Sequence, residues 1–316
     1  MIPFCMVSRS EFLGHSFSAV GFLVADNNNI ITYNIGDSSL KLKSSLFRDR
    51  IHQLVSQDPS IAGPLVRLAF HDAITFDIGA DSGPNASIQW ELGRFENRGL
   101  AKPLQLIRDQ MIRDNMILDI SLADAIALAG AEAIESVGGP QIPIRMGRVD
   151  ASVEDAEFLH HSLQGSTTRS IVTKTLPSAG LDSDGLRLFF RRRFTDPEWI
   201  ALVGGSHGLG RHVSLLGMSK PCLKNLTRTC LEDAPVLLPF VAESVNRFDN
   251  TYFRALLDWN TNNVELGQVA FIPTDVAMVV DRGLQKYVQT FAYDSTYFRR
   301  ILYGLTRNWS ICLRRL

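Results

Sequence analysis

Apolar positions along this chain recur mostly at helical spacing, three and four residues apart, and strict alternation is scarce. The pattern predicts a first amphipathic helix over 46–55. Pro64 then opens the run Leu65-Val66-Arg67-Leu68-Ala69-Phe70-His71. A proline near a helix start is tolerated because its missing N–H needs no partner there. A third helix is expected over 104–116. The clearest signal spans 121–137, where Ser121 stands at the N-cap with Asp124 three residues on, and Gly138-Gly139-Pro140 ends the helix. The many alanines of this segment and Gly130 predict very close packing against a neighbour. A second capped start, Thr195-Asp196-Pro197-Glu198, carries the capping-box pattern ahead of Trp199-Ile200-Ala201-Leu202-Val203. That helix runs into Gly204-Gly205-Ser206-His207. The layout is all-α with small strands near the middle, and the polar, Ser/Thr-rich stretch 150–178 separates two helical halves.

A length of 316 residues suits one large domain or two tightly joined lobes, enough to enclose a sizeable cofactor. Hydrophobic residues at 45% and charged residues at 21% are ordinary for a soluble globular chain. The net charge of -1 offers no basic field for nucleic acid, and Arg191-Arg192-Arg193 reads as a solvated helix end. Cys5, Cys222, Cys230 and Cys312 form no CxxC pair and no dense framework, and the step from Cys222 to Cys230 fits no common metal spacing. A reducing, intracellular compartment (plastid, cytosol or mitochondrion) is therefore expected rather than secretion. No stretch reaches the roughly 20 apolar residues of a bilayer span, so no membrane insertion is expected. Residues 1–40, with Arg9 set against Glu11 and Asp26, read as a tail or a transit segment.

Arg67 and His71 lie four residues apart, which places both on one helix face. The surrounding turn is apolar, so both project from a buried surface, where ionisable groups need a partner or a task. By itself that spacing reads as a core histidine paired with an arginine. Its context changes the reading. PLVRLAFHDAITFD is followed by SGPNASI, by Glu91-Leu92, by ENRGL and then by SLADAIALAGAEAIESVGGPQIPIRMGRVDAS. Together these runs resemble the distal half of plant-type haem peroxidases. They look most like the ascorbate peroxidase-related branch of the intracellular class, which carries phenylalanine, here Phe70, where ascorbate and cytochrome c peroxidases have tryptophan. The resemblance covers roughly residues 45–300. It implies that His71 takes a proton from hydrogen peroxide and passes it to the leaving oxygen. It implies that Arg67 stabilises charge on that oxygen. Asn97 would fix the tautomer of His71, with Glu91 supporting that contact, and Phe70 would pack on the distal haem face.

A second anchor is the run from Trp199 to Arg211, an apolar helix ending Gly204-Gly205-Ser206-His207-Gly208-Leu209-Gly210. A histidine there can be a plain helix terminus favoured by the dipole. The same family closes its proximal helix on a GGH-x-[LI]-G pattern, from which this chain departs by Ser206, and the resemblance makes His207 the axial ligand of the haem iron. Ile272-Pro273-Thr274-Asp275 matches the family's LPSD-like turn, so Asp275 is the implied proximal carboxylate. Arg247-Phe248-Asp249-Asn250-Thr251-Tyr252-Phe253 resembles the FDNSYF element, with Asp249 structural. The tryptophan found under the haem in ascorbate and cytochrome c peroxidases has Phe240 as its counterpart, so no stable tryptophan radical is expected. Leu216 and Pro59 stand where ascorbate-binding arginine and lysine would be, and Gly208, Val241 and Glu243 stand where a structural cation is held.

The resemblance thus implies a two-lobed haem peroxidase domain over 41–316, with a distal lobe at about 41–150 and a proximal lobe at about 179–316. One haem b would sit between the lobes. The implied activity is reduction of hydrogen peroxide by a small organic donor whose identity, like the oligomeric state, is not encoded in the motifs. The alternative is a non-catalytic relative that binds haem as a sensor or scaffold, and a cytochrome c-oxidising enzyme is a third reading, weakened by the loss of the proximal tryptophan.

Overall fold

The computed structural model describes residues 23–26, 29–32, 35–74, 83–94, 97–117, 119–154, 181–191, 193–213, 237–259 and 271–312. Cys5, Cys222, Cys230, Leu216, Arg192 and most of the polar 150–178 stretch lie outside them. Ten helices and four short strands make up the described residues, so the fold is all-α as expected.

An antiparallel hairpin, β1 (Leu23–Asp26) and β2 (Asn29–Thr32), pairs Leu23 with Thr32 ahead of the first helix. Helix α1 runs Ile35–Gln57, well over two turns beyond the expected 46–55 at its start. Its second half carries the buried face: Phe47, Ile51 and Val55 are buried one turn apart, whereas Leu42 is 72% exposed. Apolar periodicity therefore marks the buried half alone. A short turn of 3₁₀-helix at Pro59–Ile61, capped by Asp58, leads into α2 (Ala62–Ala73). Helix α3 (Ala101–Arg113) begins and ends three residues before the expected 104–116, because Asn115 enters the left-handed region at φ 52° and stops it ahead of Met116.

Helix α4 (Leu122–Ser136) follows the predicted cap, with Ser121 Oγ accepting from the Asp124 amide at 3.1 Å. Asp150, 27 residues on from Ala123, returns to accept from the Leu122 and Ala123 amides at 3.0 and 2.8 Å. Beside it, buried Asp124 pairs with Arg148 at 2.6 Å. Gly130 is where α4 meets α2: a Cβ built there would lie 2.5 Å from the Ala69 Cβ. The alanine-rich face thus sets the backbone of the helix that carries Arg67 and His71.

The second half comprises α5 (Ser183–Phe190), α6 (Asp196–His207), α7 (Thr251–Leu257), α8 (Pro273–Val280), α9 (Arg282–Tyr293) and α10 (Ser295–Cys312). Strands β3 (Arg211–Val213) and β4 (Leu237–Pro239) pair antiparallel, His212 opposite Leu238, and are the small mid-chain strands expected. Helix α6 starts at the capping box, where the Thr195 amide donates to Glu198 at 2.8 Å. It is held by an aromatic core in which Trp199 stacks on Phe190 at 5.2 Å. Of the arginine run, Arg191 is exposed and Arg193 lies over the Phe189 ring. No helix among the described residues is long and apolar enough to cross a membrane.

Three contacts clamp the halves. The Phe248 amide donates to the Val137 carbonyl at 2.8 Å. Arg299 donates to the Gly138 carbonyl at 2.6 Å and to the Phe248 carbonyl at 3.0 Å. Gly63, at the start of α2, sits against the end of α6 so closely that a Cβ would fall 2.2 Å from the Leu209 carbonyl oxygen. Gly63→Ala is expected to destabilise the protein by about 1–3 kcal/mol, since backbone must move to admit the methyl group. Gly93→Ala, where a Cβ meets nothing within 4 Å, is the control and should leave the urea midpoint nearly unchanged.

Candidate active site

Helix α2 presents Arg67, Phe70 and His71, each half-buried among fully buried neighbours such as Leu65, Leu68 and Asp72. Their helical spacing does this: one stripe enters the core and the adjoining one carries the three side chains. Phe70 meets the His71 ring edge-on at 6.0 Å between centroids.

Asn97 fixes the orientation of His71. Its Nδ2 donates to the Glu91 main-chain oxygen at 2.9 Å, which turns Oδ1 toward His71 Nδ1 at 2.8 Å. An amide oxygen only accepts, so His71 Nδ1 carries the hydrogen and Nε2 keeps its lone pair. Glu91 does support this contact, but through its backbone. Its buried carboxylate accepts from Ser87 Oγ at 2.8 Å and pairs with Arg94 at 2.8 Å. Arg67 Nη1 donates to the Arg98 carbonyl at 2.8 Å. Consecutive residues Asn97 and Arg98 therefore hold both side chains of the pair.

Burial, then the positive charges of Arg67 and Arg98, push His71 down to about 3, against the opposing pull of its Asn97 bond. Burial and Arg98 lower Arg67 to about 10, which leaves it a cation at neutral pH. The pair thus offers a neutral base beside a fixed positive charge. Asp72 escaped the sequence reading. Burial raises it to about 7, and it accepts from the Ala86 and Ile88 amides at 3.0 and 3.3 Å. It anchors the 3₁₀ turn Ser87–Trp90, entered through Ala86 at φ 60°, that leads to Glu91.

The second cluster gathers at the end of α6. His207 Nδ1 donates to Asp275 Oδ1 at 2.7 Å, and Tyr252 Oη donates to the same oxygen at 2.6 Å. Asp275 Oδ2 accepts from the Ile272 amide at 3.0 Å, so the carboxylate also caps its own helix α8. Asp275 is fully buried. Burial, reinforced by Asp275, holds the Tyr252 phenol well above its ordinary range. Phe240 stacks on His207, with centroids 4.2 Å apart and planes 9° from parallel. With Nδ1 committed to Asp275, the free lone pair of His207 is on Nε2, a nitrogen suited to a metal. Asp249 accepts from the Thr251 amide at 2.9 Å and from Arg247 at 2.7 Å, a structural role. At the cation counterparts, Gly208 has no side-chain ligand, Val241 is buried carbon and Glu243 is exposed. Tyr252 is the member of this cluster to which sequence reasoning assigned no role; its contact spans 23 residues and no local pattern announces it.

A family model described as peroxidase matches residues 47–294. Over 240 residues the chain is 31% identical to a putative L-ascorbate peroxidase 6 of Arabidopsis thaliana, covering 75% of this chain and 59% of that protein. It is 31% identical to a putative heme-binding peroxidase of Cryptococcus neoformans, covering 79% of this chain and 71% of the relative. It is also 31% identical to a mitochondrial cytochrome c peroxidase of Emericella nidulans, covering 79% and 64%. The chain spans about three fifths of the Arabidopsis relative's length. The fold is all-α, its two candidate histidines are each oriented by a buried partner, and this chain belongs to the peroxidase family.

In the protein without cofactor, His71 should stay neutral far below the ordinary histidine range. Its contribution to stability is then full above the unfolded value of ~6.5 and is lost as pH falls toward 3. Imidazole ¹⁵N shifts recorded from pH 8 to 4 test this: they should report an Nδ1–H tautomer throughout, and protonation near pH 6 would contradict it.

Proposed function

We propose that this chain is a haem-dependent peroxidase that reduces hydrogen peroxide with a small organic electron donor. The observation that carries the reading is the matched tautomer of the two histidines. Each has Nδ1 tied to a buried partner and Nε2 left with a lone pair, His71 through Asn97 and His207 through Asp275.

The residues present fit a haem. His207 would hold the iron through Nε2, and Asp275 would lend that ring imidazolate character, which strengthens its donation. Phe70 and Phe240 offer apolar faces, and the Arg67–Phe70–His71 side of α2 is left half-covered by protein although its neighbours are fully buried. When bound, haem b supplies the redox chemistry. Neutral His71 would accept the proton of the attacking peroxide oxygen at Nε2 and return it to the departing oxygen. Arg67, held by the Arg98 carbonyl, would stabilise negative charge building on that oxygen. Asn97 would keep His71 from rotating between the two transfers. An intracellular setting belongs to the reading, supported by the mitochondrial naming of the Emericella relative.

Reconstitution with haem tests the proposal. The spectrum should show a ferric haem with one histidine ligand that changes on adding stoichiometric peroxide. His71→Leu should retain haem and slow the peroxide reaction by about 10²–10⁴-fold, the worth of general acid–base catalysis. His207→Ala should lose haem affinity. No uptake by the unaltered chain would refute the assignment, and haem uptake without a peroxide reaction would favour a haem-binding sensor or scaffold. A panel of ascorbate, guaiacol, glutathione and reduced cytochrome c would then identify the donor class.

A further inference from the structure

Tyr252 is fully buried, and its hydroxyl donates to Asp275 Oδ1 at 2.6 Å, the same oxygen that receives His207 Nδ1 at 2.7 Å. Its ring meets the His207 ring edge-on at 6.0 Å between centroids. On the other face of the cluster Phe240 stacks on His207 and has no hydroxyl or indole N–H. Among the described residues the other ring neighbours of Tyr252 are Phe253 at 5.2 Å and Phe271 at 5.7 Å. Among the described residues the cluster therefore contains one readily oxidised side chain, next to the candidate axial histidine, already bonded to a proton acceptor.

From this arrangement we propose that Tyr252 is a redox-active residue that stores one oxidising equivalent as a buried tyrosyl radical. This rests on the haem peroxidase reading above. One electron leaves the phenol ring of Tyr252 for the peroxide-oxidised haem, which is reduced by one equivalent. The Tyr252 O–H bond breaks, and its proton crosses the 2.6 Å hydrogen bond to form an O–H bond on Asp275 Oδ1. The products are a neutral phenoxyl radical and a neutral carboxylic acid. An electron from the organic donor and return of the same proton restore both groups.

Two physical arguments favour this route. An oxidised phenol that kept its proton would be a cation in a site without solvent, an expensive species to bury. The carboxylate removes that cost by accepting the proton along an existing hydrogen bond. Among the described residues the rings that meet Tyr252 are His207, Phe253 and Phe271, none as easily oxidised as a phenol, which favours a store over a relay. Tyr293, by contrast, is 84% exposed on α9 and offers no such protection.

The test is electron paramagnetic resonance of the haem-reconstituted full chain, frozen after one equivalent of hydrogen peroxide. The expected result is an organic radical signal that narrows when the protein is grown on ring-deuterated tyrosine and does not respond to deuterated tryptophan. In Tyr252→Phe, which keeps the ring and removes the hydroxyl, that signal should be lost. The isotope experiment uses the unaltered sequence and shows whether the radical sits on a tyrosine; because the chain has six tyrosines, Phe substitution of the other five in turn, each expected to leave the signal unchanged, assigns it to Tyr252 even if Tyr252→Phe folds poorly. A peroxide-dependent haem spectrum with no tyrosine-dependent signal, or a tyrosyl signal undiminished in Tyr252→Phe, overturns the inference and leaves the peroxidase reading standing. Failure of the unaltered chain to take up haem overturns both.

Discussion

The buried carboxylate of Asp275 is the constraint on which the second half of the molecule depends. It receives three donors: His207 from α6, Tyr252 from α7 and the Ile272 amide at the start of its own helix α8. Three helices from separate stretches of chain are thereby registered on one group. A charged acceptor strengthens each bond, to about 1.5–3 kcal/mol per contact. Such a network is unforgiving, because losing any one donor leaves charge poorly compensated where water cannot help.

The first half obeys a different rule. There the anchor is a neutral amide, and the geometry descends from backbone turns. Asp72 holds the turn that delivers Glu91, the Glu91 carbonyl orients Asn97, and Asn97 orients His71. Arg98 then closes the arrangement by holding Arg67 with its own carbonyl. No carboxylate touches His71 in this chain of contacts, and two nearby guanidinium groups oppose its protonation. The two histidines share a tautomer and differ in charge environment. A base must stay neutral and release its proton again, whereas a ligand gains from a partner that pulls its hydrogen away.

The legible parts of the sequence were those whose cause is local. The α4 cap at Ser121, the capping box at Thr195 and the small residues of α4 each act within a few positions, and each stands in the structure where its pattern placed it. Arg67 and His71 could be paired by helical spacing, and the remaining site residues followed from motif resemblance. What escaped was contact between distant positions. Nothing near Tyr252 reveals that its hydroxyl meets Asp275, and nothing near Asp150 reveals that it caps α4. The start of α1 was missed for the converse reason, since exposed positions such as Leu42 carry no apolar period.

Gly63 shows how the two rules are joined. The first turn of α2 can lie on the Leu209 carbonyl only because no Cβ intervenes, and Leu209 is two residues beyond His207. Helix α2, which carries the candidate base, is thus referenced to the end of the helix that carries the candidate ligand. The separation of His71 from His207 is then set by two rigid helices and one backbone contact rather than by a loop. A reaction that moves a proton on one side of a cofactor while the other side tunes its electrons needs that separation held within fractions of an ångström. A glycine at a helix crossing, with no side chain to react, is therefore as much a part of this site as the residues that would touch peroxide.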